Sequence, residues 1–333
     1  MFKSVMLHFF AFIKVNMNQR SIVLVFSFFF WSSFAIADNT AETLKIIIPF
    51  AAGGPSDLIA RIISTPLGLA LGKSVVIDNH GGAGGVIGVS LASKAPTDGN
   101  TVLLTTSSFV ITAGIATNLP YNPRKDFEPV YLLGEVQSML AVSNLLGVNS
   151  LSELIAKAKG PKSLNYGSAG VGSTMHIGAE LFGKLANVSL VNIAYRGSVP
   201  AITDLIAGNI DLLNADVPVL RNYVKDNRIK ALVIYDTKRS PLLPDVPTAV
   251  EVGIPQLLMT NWYGVLAPNG VSLDKRKHIE EAISKVIKQP DIAARLADAG
   301  FMNPKDASGF KVRLDTDFER WLPWLKEANF KPE

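Results

Sequence analysis

The chain has 333 residues, with 32 Lys and Arg, 28 Asp and Glu, 48% hydrophobic residues and no cysteine. This length suits about two domains with a large core. The lack of cysteine excludes disulfide bonds, a thiolate nucleophile, Cys-ligated metals and a lipid-modified cysteine anchor. Because only four histidines are present, a His-rich metal site is not expected.

The first 37 residues have the pattern of a secretory signal peptide. A short segment containing Arg20 precedes the apolar run 22–31, and an A-x-A sequence ends at Ala37. We expect cleavage after Ala37. A membrane anchor is the alternative, although the run is shorter than the roughly 20 apolar residues that span a bilayer. Residues 1–16 are superfluous to this pattern, which makes Met17 an alternative start.

Residues 1–37 contain three basic residues and no acidic one, so their removal lowers the formal net charge from +4 to +1. A nearly neutral protein lacks the basic stripe that binding to a phosphate backbone requires. We therefore expect an exported, soluble protein with no nucleic-acid partner.

From residue 44 onward, predicted strands and helices alternate. Strands are predicted at 44–50, 75–78, 101–105, 164–166, 190–194, 210–213 and 230–235. Helices are predicted at 57–71, 152–159, 174–185 and 200–207, and the region 273–333 is helix-rich. The Gly-rich segment 80–85 opens a further helix that runs through Ser93. Pro66 is expected to kink or split the first helix. Longer extended segments are predicted at 130–143 and 262–267.

This alternation predicts βαβ units with mainly parallel sheets. The two extended segments bracket a compact α/β block, which suggests that a second domain is inserted into the first. We expect domain 1 at 38–141 and 264–333, and domain 2 at 142–263. Each domain contains the same unit, in which a strand is followed by a Gly-rich loop and then by a helix.

The two Gly-rich loops, residues 51–56 and 167–173, are the candidate binding elements. Each leads into a helix N-terminus, where free N–H groups and the helix dipole attract an anion. Facing each other across a cleft, they would bind a carboxylate without Lys or Arg in the loops. Side-chain hydroxyls can add donors at Ser56, Ser168, Ser173 and Thr174. The alternative is that the glycines only form turns and the serines only cap helices.

Nucleotide-binding and catalytic motifs are weak. Residues 68–74 fall one residue short of a P-loop, and residues 82–88 miss the dinucleotide fingerprint by one. We therefore expect no cofactor and no metal ion. Ser173 and His176 share one helical turn, so a secreted Ser/His hydrolase is a lesser alternative, although no G-x-S-x-G context is present. Asp57 is expected to support the first helix, with pairing to a ligand ammonium as the alternative.

Several segments resemble the Bug family, the periplasmic solute-binding proteins of tripartite tricarboxylate transporters. They are PFAAGGPSDLIAR at 49–61, GGAGGVIG at 81–88, LNYGSAGVGSTMH at 164–176, AYRGSVPAITDLIAGNIDL at 194–212 and RSPLLPDVPTAVEVGIP at 239–255. The resemblance covers essentially the whole chain after the signal peptide, in the family's order.

The resemblance implies a periplasmic-binding-protein fold of type II, in which two α/β domains with mainly parallel sheets close on a ligand like a Venus flytrap. It implies a non-enzymatic, monomeric receptor that delivers a small carboxylate to membrane permease subunits. The carboxylate class includes di- and tricarboxylates, aromatic acids and acidic amino acids. The expected ligand-binding residues are Phe50, Ala51, Gly53, Gly54, Ser56, Asp57, Ser168, Ala169, Gly172, Ser173, Thr174, His176, Tyr195 and Asp216.

Departures from the family pattern at Thr174, Met175 and Ala194 leave the identity of the ligand open. A sensor that presents its ligand-closed form to a membrane kinase is the alternative function from outside transport.

Overall fold

A computed structural model describes residues 42–116 and 118–327. The predicted signal peptide, with its cleavage position after Ala37, lies outside these residues. Within the described ranges, no helix is long and apolar enough to cross a membrane.

Strands and helices alternate along the described chain. The strands are β1 Thr43–Ile48, β2 Ser74–Asn79, β3 Thr101–Thr106, β4 Phe127–Ser143, β5 Leu164–Ser168, β6 Leu190–Ala194, β7 Leu212–Asp216, β8 Ile229–Ile234 and β9 Thr260–Pro268. The helices are α1 Pro55–Leu71, α2 Val86–Ser93, α3 Ser108–Ile115, α4 Leu151–Ala158, α5 Thr174–Ala186, α6 Ser198–Ala207, α7 Val217–Lys225, α8 Leu273–Ile287, α9 Pro290–Asp298 and α10 Ala307–Glu327. A short 3₁₀ turn, Ala83–Gly85, precedes α2.

The strands lie in the order β2-β1-β3-β9-β4-β7-β5-β6, and β8 pairs with β4 off this path. The pairs β1–β2, β1–β3, β5–β6 and β5–β7 are parallel. The long strands β4 and β9 pair antiparallel in the middle. The α/β prediction is confirmed, with parallel pairing on both flanks of an antiparallel centre.

Strand β4 serves both flanks of the sheet. Its residues up to Gln137 pair with β9, which in turn pairs with β3. Its residues Ser138–Ser143 pair with β7 and β8. The predicted domain boundaries, at residues 141–142 and 263–264, fall within β4 and β9.

One sequence-based expectation needs correction, and two helices were missed. Pro66 was expected to kink or split the first helix; the split is wrong, because α1 continues through Pro66 to Leu71. Helices α3 and α7 were not predicted. Helix α3 has the sequence SFVITAGI, which is almost wholly buried and rich in β-branched residues, so it lacks the amphipathic periodicity that identifies a surface helix.

The parallel flanks bring several helix starts to one edge. Strands β1, β5 and β6 each end in a loop that leads into the N-terminus of α1, α5 or α6. The carboxyl ends of parallel strands meet at a common edge, which is where ligands bind in open α/β sheets.

Candidate ligand-binding site

A cavity of about 250 Å³ lies at this edge and is lined by residues from both flanks of the sheet. The predicted site residues that line it are Phe50, Ala51, Gly54, Ser56, Ala169, Ser173, Thr174 and Asp216. The structure thus brings the two predicted Gly-rich loops to one cavity. The other predicted residues are absent from its lining: Gly53, Asp57, Ser168, Gly172, His176 and Tyr195.

Three helices begin at the cavity. Their starts contribute Gly54 to Ser56 from α1, Ser173 to Met175 from α5, and Gly197 to Pro200 from α6. The first N–H groups of a helix have no acceptor within the helix, and the helix dipole places partial positive charge there. None of the described residues that line the cavity is Lys, Arg or His. An anion in the cavity would therefore meet backbone N–H groups and hydroxyls in place of basic side chains.

Ser198, at the start of α6, offers a further donor. Its Oγ atom is buried and has no hydrogen-bond partner among the described residues. It lies opposite Gly54, since a β-carbon built on Gly54 would be 3.7 Å from it. A buried hydroxyl without a partner is costly. A ligand oxygen in the cavity would satisfy it.

Asp57 supports the first loop from behind. Its Oδ2 accepts hydrogen bonds from the Gly53 N–H at 3.0 Å and the Arg61 Nε at 2.7 Å, and Arg61 Nη2 reaches Oδ1 at 3.1 Å. Burial alone raises the pKa of Asp57, but the bonds from Arg61 and Gly53 outweigh it and hold that pKa below its usual value. This geometry favours the supporting role for Asp57 over the alternative of pairing with a ligand ammonium.

Ser173 caps α5, and His176 braces the loop before it. The Ser173 Oγ accepts the His176 backbone N–H at 3.2 Å, and His176 Nδ1 accepts the Gly172 N–H at 3.4 Å. Burial lowers the pKa of His176 to about 4, so the imidazole is neutral at physiological pH. These contacts favour a structural role for the pair over nucleophile and base.

The cap predicts a measurable stability effect. We expect Ser173→Ala to lower the free energy of unfolding by about 1 kcal/mol, because the His176 N–H loses its acceptor. Urea unfolding followed by circular dichroism would measure the change, with Ser173→Asn as the control that retains a capping oxygen. Equal stability of the Ala and Asn variants would contradict the capping role.

Ser168 and Tyr195 shape the second flank. Ser168 is fully buried, its Oγ accepts the Gly170 N–H at 3.3 Å, and its carbonyl accepts the Tyr195 N–H at 2.8 Å. The Tyr195 hydroxyl donates to Asp204 at 2.6 Å. Burial and the Asp204 carboxylate raise the pKa of Tyr195 to about 12. The Tyr195 hydroxyl is thus hydrogen-bonded to a residue of α6, and Tyr195 does not line the cavity.

Asp216 forms the polar floor of the cavity. Its Oδ2 accepts the Asn261 Nδ2 at 2.9 Å and the Tyr263 hydroxyl, and Ser138 Oγ lies 3.4 Å from Oδ1. Burial raises the pKa of Asp216 to about 6, against the lowering effect of these hydrogen bonds, of which that from Tyr263 is the strongest.

Other residues that line the cavity were not predicted from the sequence. The polar ones include Thr106, Ser198, Asn261 and Tyr263. Thr106 ends β3 and Ser198 begins α6, so the strand-end rule that identified the two Gly-rich loops could have found them. Asn261 and Tyr263 lie within β9, where no local sequence signal distinguishes them.

Comparisons with known proteins identify the family of this chain. Residues 59–329 match the model of the tripartite tricarboxylate transporter family receptor. The protein BugT of Bordetella pertussis is 31% identical over 327 residues, which cover 95% of this chain and 99% of BugT.

Two solved structures have the same fold. The periplasmic binding protein BugD is 26% identical with a TM-score of 0.82, and the match covers 87% of this chain and 99% of BugD. MatC from Rhodopseudomonas palustris, solved with bound malate, is 29% identical with a TM-score of 0.82, and the match covers 85% of this chain and 98% of MatC. These matches confirm the predicted periplasmic-binding-protein fold and the resemblance to the Bug proteins. The chain therefore belongs to the tripartite tricarboxylate transporter receptor family of periplasmic solute-binding proteins.

Proposed function

We propose that this protein captures a small organic carboxylate in the cavity and delivers it to the permease of a tripartite tricarboxylate transporter. The convergence of three helix starts and the unpartnered Ser198 Oγ on a cavity without basic side chains carries the proposal. Helix N-termini bind anions through their free N–H groups and dipoles. The malate bound to MatC, a relative with the same fold, is a carboxylate of this class.

We further propose that the chain forms the two predicted domains and that they close on the ligand. The change of partners along β4, from β9 before Ser138 to β7 and β8 after it, supports this division. Crossing strands of this kind are suited to act as a hinge, because a few residues at an element boundary can absorb the rotation. The ligand would then be enclosed between residues of both domains.

A thermal-shift screen of mono-, di- and tricarboxylates and amino acids tests the binding function. A carboxylate present at about 100 times its dissociation constant should stabilise the folded protein by about 2.7 kcal/mol, which raises its melting temperature. Neutral sugars and simple cations serve as controls. A melting temperature raised by sugars or cations and by no carboxylate would contradict the proposal.

Variants of Gly54 test whether the ligand binds in this cavity. A β-carbon at Gly54 would make ordinary contacts, 3.6 Å from the Ala51 carbonyl oxygen and 3.7 Å from Ser198 Oγ. Gly54→Ala is therefore the matched control that keeps binding. The branched methyls of Gly54→Val reach beyond this space, so we expect Val to abolish the thermal shift while the unliganded fold persists. A full shift in the Val variant would place the ligand elsewhere.

Delivery to a permease is the part of the proposal that the family membership supports. Affinity capture from membranes with and without the stabilising carboxylate tests it. Ligand-dependent recovery of permease subunits would support transport. Recovery of a sensor kinase in their place would support the sensing alternative.

A further inference from the structure

We propose that Asp216 makes the cavity selective for acids that carry an ammonium group in addition to their carboxylate. The inference rests on the proposed carboxylate-binding function and adds the class of ligand. Amino acids, including those with the amine at the far end of the chain, are the corresponding ligands.

The position of Asp216 gives the first argument. It ends β7 and is the N-cap residue of α7, yet its side chain makes no capping hydrogen bond to that helix. The side chain is directed to the neighbouring strands β4 and β9, and the residue lines the cavity while being only 7% exposed. The carboxylate is thus held at the cavity wall by contacts that fix its orientation.

The hydrogen bonds of Asp216 give the second argument. The side chains facing it are Ser138 from β4 and Asn261 and Tyr263 from β9, all of them uncharged donors. Two of these bonds converge on Oδ2, whereas Oδ1 has only the long contact from Ser138 at 3.4 Å. A carboxylate can accept about four hydrogen bonds, so Oδ1 retains acceptor capacity for a ligand donor.

The charge of Asp216 gives the third argument. A buried carboxylate without a cation is costly, and buried charges are normally paired. Asp216 has no basic partner among the described residues, and it is the one acidic residue among those that line the cavity. A ligand ammonium would supply the missing positive charge. A second ligand carboxylate at the same place would be repelled.

The cavity as a whole is therefore polarised. The helix starts of α1, α5 and α6 provide partial positive charge, and Asp216 provides negative charge on the same cavity of about 250 Å³. A single small molecule that bears both a carboxylate and an ammonium group matches this distribution. A dicarboxylate without an amine matches only the positive charge of the helix starts.

The pH dependence separates Asp216 from other causes of selectivity. Burial raises the pKa of Asp216 to about 6, so the carboxylate is ionised above this pH and protonated below it. The facing titratable group, Tyr263, has its pKa raised well above 10 by burial and by Asp216, and stays neutral throughout. Selectivity for the ammonium should accordingly be present above about pH 6 and decline below it.

The test compares matched acids by isothermal titration calorimetry on the wild-type protein. The pairs are hexanoate with 2-aminohexanoate, hexanoate with 6-aminohexanoate, and glutarate with glutamate. At about pH 8 we expect the preferred amino acid to bind at least roughly tenfold more tightly than its amine-free partner, and at about pH 5 we expect this ratio to fall toward one. In Asp216→Asn this ratio should be about one at both pH values. Asp291→Asn, which removes an exposed acid on α9, is the charge-matched control.

The outcomes separate this inference from the proposed function. Amine-free acids that bind as tightly as their amino partners at about pH 8 would overturn the role of Asp216 and leave the carboxylate receptor intact. A preference that persists unchanged in Asp216→Asn would overturn it as well. Failure of these acids to bind, together with failure of every carboxylate in the thermal-shift screen, would refute both. If Asp216→Asn does not fold, the pH series on the wild-type protein decides.

Discussion

Replacing Gly84 with Ala is expected to weaken binding of the carboxylate ligand by roughly tenfold to a hundredfold. A β-carbon at Gly84 would lie 2.0 Å from the carbonyl oxygen of Val171, a backbone atom that no side-chain rotation can move away. Overpacking typically costs about 1–3 kcal/mol, which corresponds to this range of dissociation constants. We expect the clash to lower the affinity for the ligand, because it involves loops from opposite flanks of the sheet.

These loops, residues 81–85 and 170–172, meet backbone to backbone. A β-carbon at Gly170 would lie 2.9 Å from the Gly84 nitrogen, and one at Gly172 would lie 2.9 Å from Thr112 Oγ1. Thr112, on α3, also donates to the Gly172 carbonyl at 3.4 Å. The arrangement fits the proposed closed form, in which glycines permit an approach that any side chain would prevent. If closure accompanies binding, the clash lowers the population of the binding-competent state and hence the apparent affinity.

Gly72→Ala is the matched control for this prediction. Gly72 has φ +66°, close to the +62° of Gly84, but a β-carbon there would meet nothing within 4 Å. The two variants therefore share the strain of a left-handed alanine and differ in the contact across the loops. Isothermal titration with the acid that gives the largest thermal shift would measure both. Equal dissociation constants for the two variants would show that the approach of the loops has no role in binding.

The sequence located the two Gly-rich loops because their signal is local. Gly54 and Ser173 each lie between a predicted strand and a predicted helix, and that pattern alone predicts a helix start at a strand end. The structure places both at the cavity. For Asp57 the sequence left two roles open, support of the helix and pairing with a ligand ammonium. The hydrogen bond from Arg61, one helical turn along, favours support.

The polar floor of the cavity, formed by Asp216 and its hydrogen-bond partners, was harder to predict from the sequence. Asn261 and Tyr263 meet Asp216 across more than forty residues of sequence, through the pairing of β4 with both β7 and β9. Register of this kind is decided by the assembled sheet and leaves no mark on a short segment. Asp216 was found only through the family resemblance, and its hydrogen-bond partners emerged from the fold.

The second large effect concerns His176 and the stability of the fold toward acid. We expect the wild-type protein to lose about 3 kcal/mol of unfolding free energy through this residue as the pH falls from about 6.5 to about 4. Burial lowers the pKa of His176 to about 4, whereas an unfolded histidine titrates near 6.5. Between these values the unfolded chain binds a proton that the folded protein does not, so stability rises with pH and is complete above about 6.5.

Urea unfolding of the wild type and of His176→Gln, at about pH 8 and about pH 5, would measure this contribution. Gln keeps an oxygen that can accept the Gly172 N–H and cannot titrate, so its loss of stability between the two pH values should be smaller. Asp216 acts in the opposite direction, because its raised pKa favours the folded protein as the pH falls through about 6. That contribution is common to both proteins, and the difference between them isolates His176. Identical losses in the wild type and the variant would show that His176 becomes protonated without unfolding, and hence that its ring reaches solvent.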